Sequence, residues 1–322
     1  MRSKRIQNHI GESRLLLPVS LLITCGLWWL PRRPYTHWEL GALAACLLTS
    51  YLITEMNNRN ALIRVYSRSV CSVFLLLVGS MGVLHGWSWP WVAVPALVAS
   101  LFLLTRIDGV GNTVVHTYHI FVVLGVASLF SPYYIWFGLI LYWHIAATFR
   151  KLTFKGFFAG IIGLATPVWV ALCTCLLTDR WTMVEQWWNE LTNLRSITAE
   201  AFARVDTGVL ACWGLLTVML ATGSVHYLLN SYEDKVRTRH LIYMLMTQSA
   251  FTLVLAALQP HWAPGLLPVM VVSTSVLPAH YLTLQRTWWA SNVLWLFIIC
   301  LISLAVYTCL PEAKELITEL IK

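Results

Sequence analysis

Residues 157–178 read Phe-Phe-Ala-Gly-Ile-Ile-Gly-Leu-Ala-Thr-Pro-Val-Trp-Val-Ala-Leu-Cys-Thr-Cys-Leu-Leu-Thr, with no charged side chain. At about 1.5 Å per residue, a helix of this length matches the ~30 Å hydrocarbon core of a bilayer. Lipid offers no partner to a backbone amide, so such a run must close its hydrogen bonds internally, as a helix. Working outward, similar apolar runs recur along the whole chain. They lie at about 15–30, 39–56, 70–87, 91–107, 117–131, 133–149, 157–178, 209–230, 240–258, 266–285 and 288–310. The pattern predicts an all-α, polytopic transmembrane helical bundle of about eleven spans, with ten to twelve as the range. Residues 1–322 form one integral membrane domain in this reading.

Composition agrees. Of 322 residues, 58% are hydrophobic and 11% charged, against roughly a quarter charged in soluble domains. That balance excludes a soluble enzyme, a disordered chain and a disulfide-rich scaffold. The eight cysteines lie in or beside apolar runs, form no CxxC pair, and are expected to be buried thiols. The first run follows a basic stretch but has no small-x-small cleavage site, so it is expected to stay as the first helix.

Charge then orients the bundle. The net charge is +8, and what matters in a membrane is the side on which it lies. With eleven spans and a cytoplasmic N-terminus, fifteen of the 22 basic residues fall inside, against five of the fourteen acidic ones. Fusing residues 117–149 into one broken helix around Ser131-Pro132 would put Arg150, Lys151 and Lys155 on the wrong side. A hairpin is therefore expected there. Ten of the seventeen tryptophans, among them Trp28, Trp87 and Trp188, fall at expected outer ends, while Trp288 and Trp289 mark the inner end of the last run. Indoles favour the headgroup layer.

Residues 179–208 form the one long outer loop, an extracytoplasmic amphipathic segment. Thr182 and Glu185 have capping-box spacing. Trp181, Val184, Trp188 and Leu191 share one helical face, with Glu185, Asn189 and Asn193 opposite. The segment reads as an interfacial belt, or as a lid over an outward-facing cavity. A second short helix is expected at about Thr198 to Val205.

Gly125-Val-Ala-Ser-Leu-Phe130, an aromatic hairpin, Phe157-Phe158 and Gly160-Ile-Ile-Gly-Leu-Ala-Thr-Pro167 follow one another in the middle third of the chain. This stretch resembles an uncharacterised family of polytopic inner-membrane proteins of Bacteroidetes. The resemblance implies a bacterial inner membrane and supplies no catalytic residue to carry over. Physically, Gly125, Gly160 and Gly163 leave room for close helix approach, and Pro167 is expected to kink its helix.

Polar groups within lipid are the pointers to function. The richest set lies on the eighth to tenth runs. His226 lies about 6 Å from the inner end of its helix, His280 about 8 Å, and Gln248 and Thr222 about 12 Å. With Thr274 they are the substrate-binding candidates. Pro278 is expected to loosen the tenth run. Glu55 is a candidate ion-coupling carboxylate, or a local partner of Arg59 one turn on. His116 and His119 share a helical face without an evident third ligand, and His144 precedes Thr148 by one turn.

No cofactor or metal is expected, and no P-loop, HExxH or GxSxG motif occurs. The expected partners are membrane lipids, a small-molecule or lipid-linked substrate, or a membrane protein, and not nucleic acid. The leading reading is a transporter-like or envelope-assembly protein. One alternative is a membrane-embedded glycosyl or acyl transferase, with Glu39, Asp179 or Glu185 near the chemistry. The other is a non-catalytic subunit of a membrane complex.

Overall fold

The computed structural model describes residues 13–30, 37–60, 62–63, 68–109, 111–284 and 289–310. The basic N-terminus, residues 31–36, Arg64, Arg286, Trp288 and the end from 311 to 322 lie outside them.

Among the described residues every regular element is helical. The elements are α1 (Leu16–Trp28), α2 (His37–Asn60), α3 (Ser69–Ser80), α4 (Pro90–Leu104), α5 (Thr113–Phe130), α6 (Phe137–Trp143) and α7 (Phe154–Leu177). They continue as α8 (Trp181–Thr192), α9 (Ala199–Ala203), α10 (Thr207–Asn230), α11 (Val236–Leu258), α12 (Ala263–Thr274), α13 (Val276–Leu284) and α14 (Trp289–Cys309). Seven helical segments are long and apolar enough to cross a membrane, the Pro260–Leu284 segment being one of them. α1, α3 and α4 are apolar but shorter.

Side-chain contacts fix the directions. Thr24 of α1 donates to the Leu75 carbonyl of α3 at 2.8 Å, and Trp28 stacks on His85, so α1 and α3 run the same way. Gly41 lies against Trp87 and Asn60 bonds Thr105, so α2 runs with α4. His116 and Ser100 join α4 and α5 head to tail, through the Leu103 and Ile120 carbonyls. Gly163 lies against Tyr118, and Gly125 against Leu164 and Pro167, so α5 and α7 are parallel. Residues 131–153 must therefore run back along the bundle between them.

That return is broken. A 3-10 turn spans Pro132–Trp136, α6 has only seven residues, and a π-turn follows at His144–Thr148. Proline at the start of the turn lacks the amide that would continue α5. The expected single span at 133–149 is thus three short pieces.

Two ends result. The loop end carries residues 179–206. The opposite, basic end carries Arg59, Arg106, Lys151 and Arg237. Caps are local in origin: Asn112 accepts from Val114 and Val115, Thr153 from Gly156, and Asp206 from Gly208 at 2.6 Å. In the centre lies the Pro260–Leu284 segment, 83% buried over its apolar window, against 17% for peripheral α7. Its α12–α13 break falls at Ser275. Pro278 cannot donate to the Thr274 carbonyl, which locates the loosening expected of this run.

Other expectations need correction. α8 forms as predicted, but Arg180 precedes it without a side-chain cap and Thr182 sits inside the first turn, so no capping box forms. Its half-buried edge is Val184, Trp187 and Leu191, while Trp181 and Trp188 are exposed. All eight cysteines are free, but only Cys46, Cys71, Cys212 and Cys309 are buried; Cys25, Cys175 and Cys300 are half-buried and Cys173 is exposed.

Candidate functional site

The candidates were expected on the eighth to tenth apolar runs, and these fold as α10, α11 and the α12–α13 pair. Gly223 allows α10 and α13 to approach. A Cβ there would come within 2.8 Å of the Leu277 side chain. The same approach sets His226 and Tyr227 of α10 beside His280 and Tyr281 of α13. His226 meets Tyr281 edge-on at 4.5 Å, and Tyr227 meets His280 edge-on at 5.0 Å.

The chain then leaves α10 through a turn at Ser231–Glu233 and extends at Asp234 before α11. This connection does not face away from the bundle. Asp234 folds inward, its side chain 0% exposed, and its Oδ2 lies 3.0 Å from His280 Nε2, whose side chain is 5% exposed. An ionised carboxylate can only accept, so Nε2–H of His280 donates to it. Tyr243 of α11 donates to Ser231 at 3.1 Å and holds the turn from the other side. Thr283, one turn beyond His280, donates to Ser69 of α3 at 2.9 Å. Arg237 reaches Asn60 of α2 at 3.2 Å, and Asn60 reaches Thr105 of α4. A polar seam thus crosses the basic end of the bundle, with Asp234–His280 as its buried ionisable pair.

Beside the seam, α10, α13 and α14 enclose a cavity of about 360 Å³. Thr222, His226, Pro278 and Tyr281 line it together with apolar side chains. Thr222 donates to the Val218 carbonyl of its own helix at 2.7 Å. The structure therefore brings Thr222 and His226 to one cavity and His280 next to it. Neither Gln248 nor Thr274 lines that cavity, and Thr274 belongs to a separate contact between α11 and α12. Thr274 donates to Ser249 at 3.3 Å. Gln248 is fully buried, and neither its Oε1 nor its Nε2 has a hydrogen-bond partner among the described residues.

An unpartnered buried amide costs about 1–3 kcal/mol per group. Gln248→Leu is accordingly expected to raise unfolding free energy by about 1–2 kcal/mol. Denaturant unfolding in lipid mimetics checks this, and a loss of stability would show that the amide is satisfied in the membrane.

Glu55 forms a close ion pair with Arg59 within α2, and Arg59 lies over the Phe102 ring at 5.6 Å. His116 is bound to the Leu103 carbonyl at 2.8 Å. No group of three or more metal-ligating side chains occurs among the described residues. His144 is buried, and its Nδ1 lies 3.5 Å from Thr148. Outside the spans, partial burial of α8 raises the Glu190 carboxyl above the usual carboxylate range.

Asp234 is the residue that sequence reasoning passed over. It sits in Ser-Tyr-Glu-Asp-Lys, which reads as a solvated turn. The available signal was a histidine in the run after it: a buried imidazole needs a partner, and the nearest unassigned carboxylates were Glu233 and Asp234. No family model, curated protein or solved structure matches this chain.

Proposed function

We propose that the chain is a multi-pass protein of a bacterial inner membrane, transporter-like or acting in envelope assembly. It takes a small or lipid-linked substrate between α10, α13 and α14. The observation that carries this reading is the buried Asp234–His280 pair beside the cavity lined by Thr222 and His226. Ionisable groups inside an apolar bundle are costly to bury, and they mark substrate or proton sites in membrane proteins. His226 supplies a donor or acceptor to a bound polar group. The Asp234–His280 pair supplies a carboxylate and an imidazole able to exchange a proton.

In this proposal the eleven alternating passes all cross the bilayer. The basic end faces the cytoplasm, following the positive-inside bias, and the loop end faces outward. Bacteroidetes inner-membrane proteins are the proposed relatives, on the glycine and proline pattern of residues 125–167. Gln248 and Thr274 serve helix association rather than the substrate, and Glu55 holds Arg59 at the interface.

Mass spectrometry of the protein extracted in native-lipid nanodiscs tests the reading. The expected result is a stoichiometric metabolite or lipid-linked sugar, lost from His226→Ala with Thr222→Val while insertion and melting are kept. A ligand-free protein carrying a stoichiometric protein partner would overturn it in favour of an assembly subunit.

A further inference from the structure

A larger cavity lies at the other end of the molecule. Helix α8 roofs a space of about 790 Å³ whose floor is built by α5, α7 and the Pro132–Trp136 turn. Leu129, Ile135, Val168 and Leu172 line the floor, and Val184 and Trp188 line the roof. The roof is fixed. Trp187 Nε1–H donates to the buried Ser128 carbonyl at 2.7 Å. Beyond α8, Arg195 and Gln259 exchange two hydrogen bonds of 2.9 and 3.2 Å, which tie the loop to the end of α11.

We propose that this cavity holds an acyl chain of an amine-headed phospholipid from the surrounding bilayer. Three observations identify the occupant. First, α7 is the least buried of the spans, and Trp169, Val170, Leu176 and Leu177 beside the cavity-lining positions are exposed. The cavity is continuous with a helix surface that only lipid covers in the proposed orientation. Second, one turn of helix with a ~10 Å diameter and 5.4 Å pitch fills about 420 Å³, so fewer than two turns would fit. A flexible chain fills such a slot, and a partner helix does not.

Third, the charge at the rim has one sign. α8 contains Glu185 and Glu190 and no Lys or Arg, and Glu185 is the charged residue of the lining. Trp181 and Trp188, four residues before and three after it, also line the cavity, so Glu185 shares their side of α8 rather than the opposite face expected from the sequence. An ammonium placed there meets a carboxylate and two indole faces. A purely anionic headgroup meets Glu185 with like charge. This resident lipid is separate from the substrate cavity at α10, α13 and α14.

The test uses the full-length protein in nanodiscs of equal phosphatidylethanolamine and phosphatidylglycerol, followed by detergent extraction and native mass spectrometry. The wild type is expected to keep one phosphatidylethanolamine per chain, enriched about tenfold over phosphatidylglycerol. Ala171→Trp fills the cavity and is expected to lower that occupancy at least about fivefold. Glu185→Gln on the roof keeps a bound lipid but brings the enrichment down to about twofold or less. Unfolding of Ala171→Trp leaves Glu185→Gln to decide. Three results would overturn the proposal: no retained lipid in the wild type, a preference for phosphatidylglycerol, or unchanged selectivity in Glu185→Gln.

Discussion

His280→Ala is expected to destabilise the protein by about 3–5 kcal/mol, the largest effect of any single truncation in the polar seam. The Asp234 side chain is fully buried, and the imidazole is its donor at 3.0 Å. Removing the ring leaves a carboxylate in an apolar bundle without that donor, and also removes the surface against which Tyr227 packs. Asp234→Asn keeps shape and hydrogen bonding but loses the charge, so its cost is expected at about 1–3 kcal/mol. The informative variant replaces both partners. Asp234→Leu with His280→Leu removes the buried ionisable groups together and is expected to recover most of the stability lost in His280→Ala. A double-mutant cycle by denaturant unfolding in lipid mimetics measures the coupling. A coupling under about 0.5 kcal/mol would show that the two side chains act independently, and the seam would then not be a unit.

The same cycle separates packing from function. A seam kept only for stability tolerates the double leucine variant, because a well-packed apolar pair holds α10, α11 and α13 together as well as the ionic one. Under the proposed function the double variant folds and inserts but no longer handles its substrate. Stability is then largely kept while activity is lost in one protein, which no purely structural role produces.

Fold class was legible because it rests on long-range averages. Twenty-two uncharged residues at 157–178 admit one conformation in lipid, whatever their neighbours do. The reversal between α5 and α7 was legible through charge, since Arg150, Lys151 and Lys155 belong with the basic end. Features decided by a single side chain's direction were not legible. Periodicity groups α8 by the hydrophobicity of its residues, so it joined Trp181, Val184, Trp188 and Leu191 on one face and left Trp187 out. The structure turns Trp187 inward because its indole N–H finds the Ser128 carbonyl, a partner 59 positions away. Likewise, depth along three helices grouped His226, Gln248 and His280. Depth carries no rotation, and Gln248 neither lines the cavity of His226 nor bonds the Asp234–His280 pair. Asp234 escaped notice because a charged turn looks alike whether it faces water or folds back under a helix.

Gly163→Ala is expected to cost about 1–3 kcal/mol, the signature of overpacking rather than of lost propensity. A Cβ at this position would stand 2.5 Å from the Tyr118 carbonyl oxygen, and one at Gly125 would stand 2.7 Å from the Leu164 carbonyl oxygen. Backbone blocks both, so neither neighbour can rotate away and α5 and α7 must separate. At Gly160 the obstacle is the Tyr142 hydroxyl, the far end of a side chain that can move, so Gly160→Ala is expected to cost less. Gly214 of α10 is the control. Nothing lies within 4 Å of its would-be Cβ, and Gly214→Ala is expected to gain up to about 1 kcal/mol of helix propensity. Thermal unfolding of the four variants in one lipid mimetic gives the order. Equal effects at Gly163 and Gly214 would mean that α5 and α7 are not in backbone contact. The consequence reaches the loop end, because Leu129 of α5 and Val168 of α7 line the cavity that those glycines hold narrow. Gly125→Ala, one turn from that floor, is therefore expected to loosen lipid retention as well as stability, whereas Gly214→Ala leaves retention unchanged.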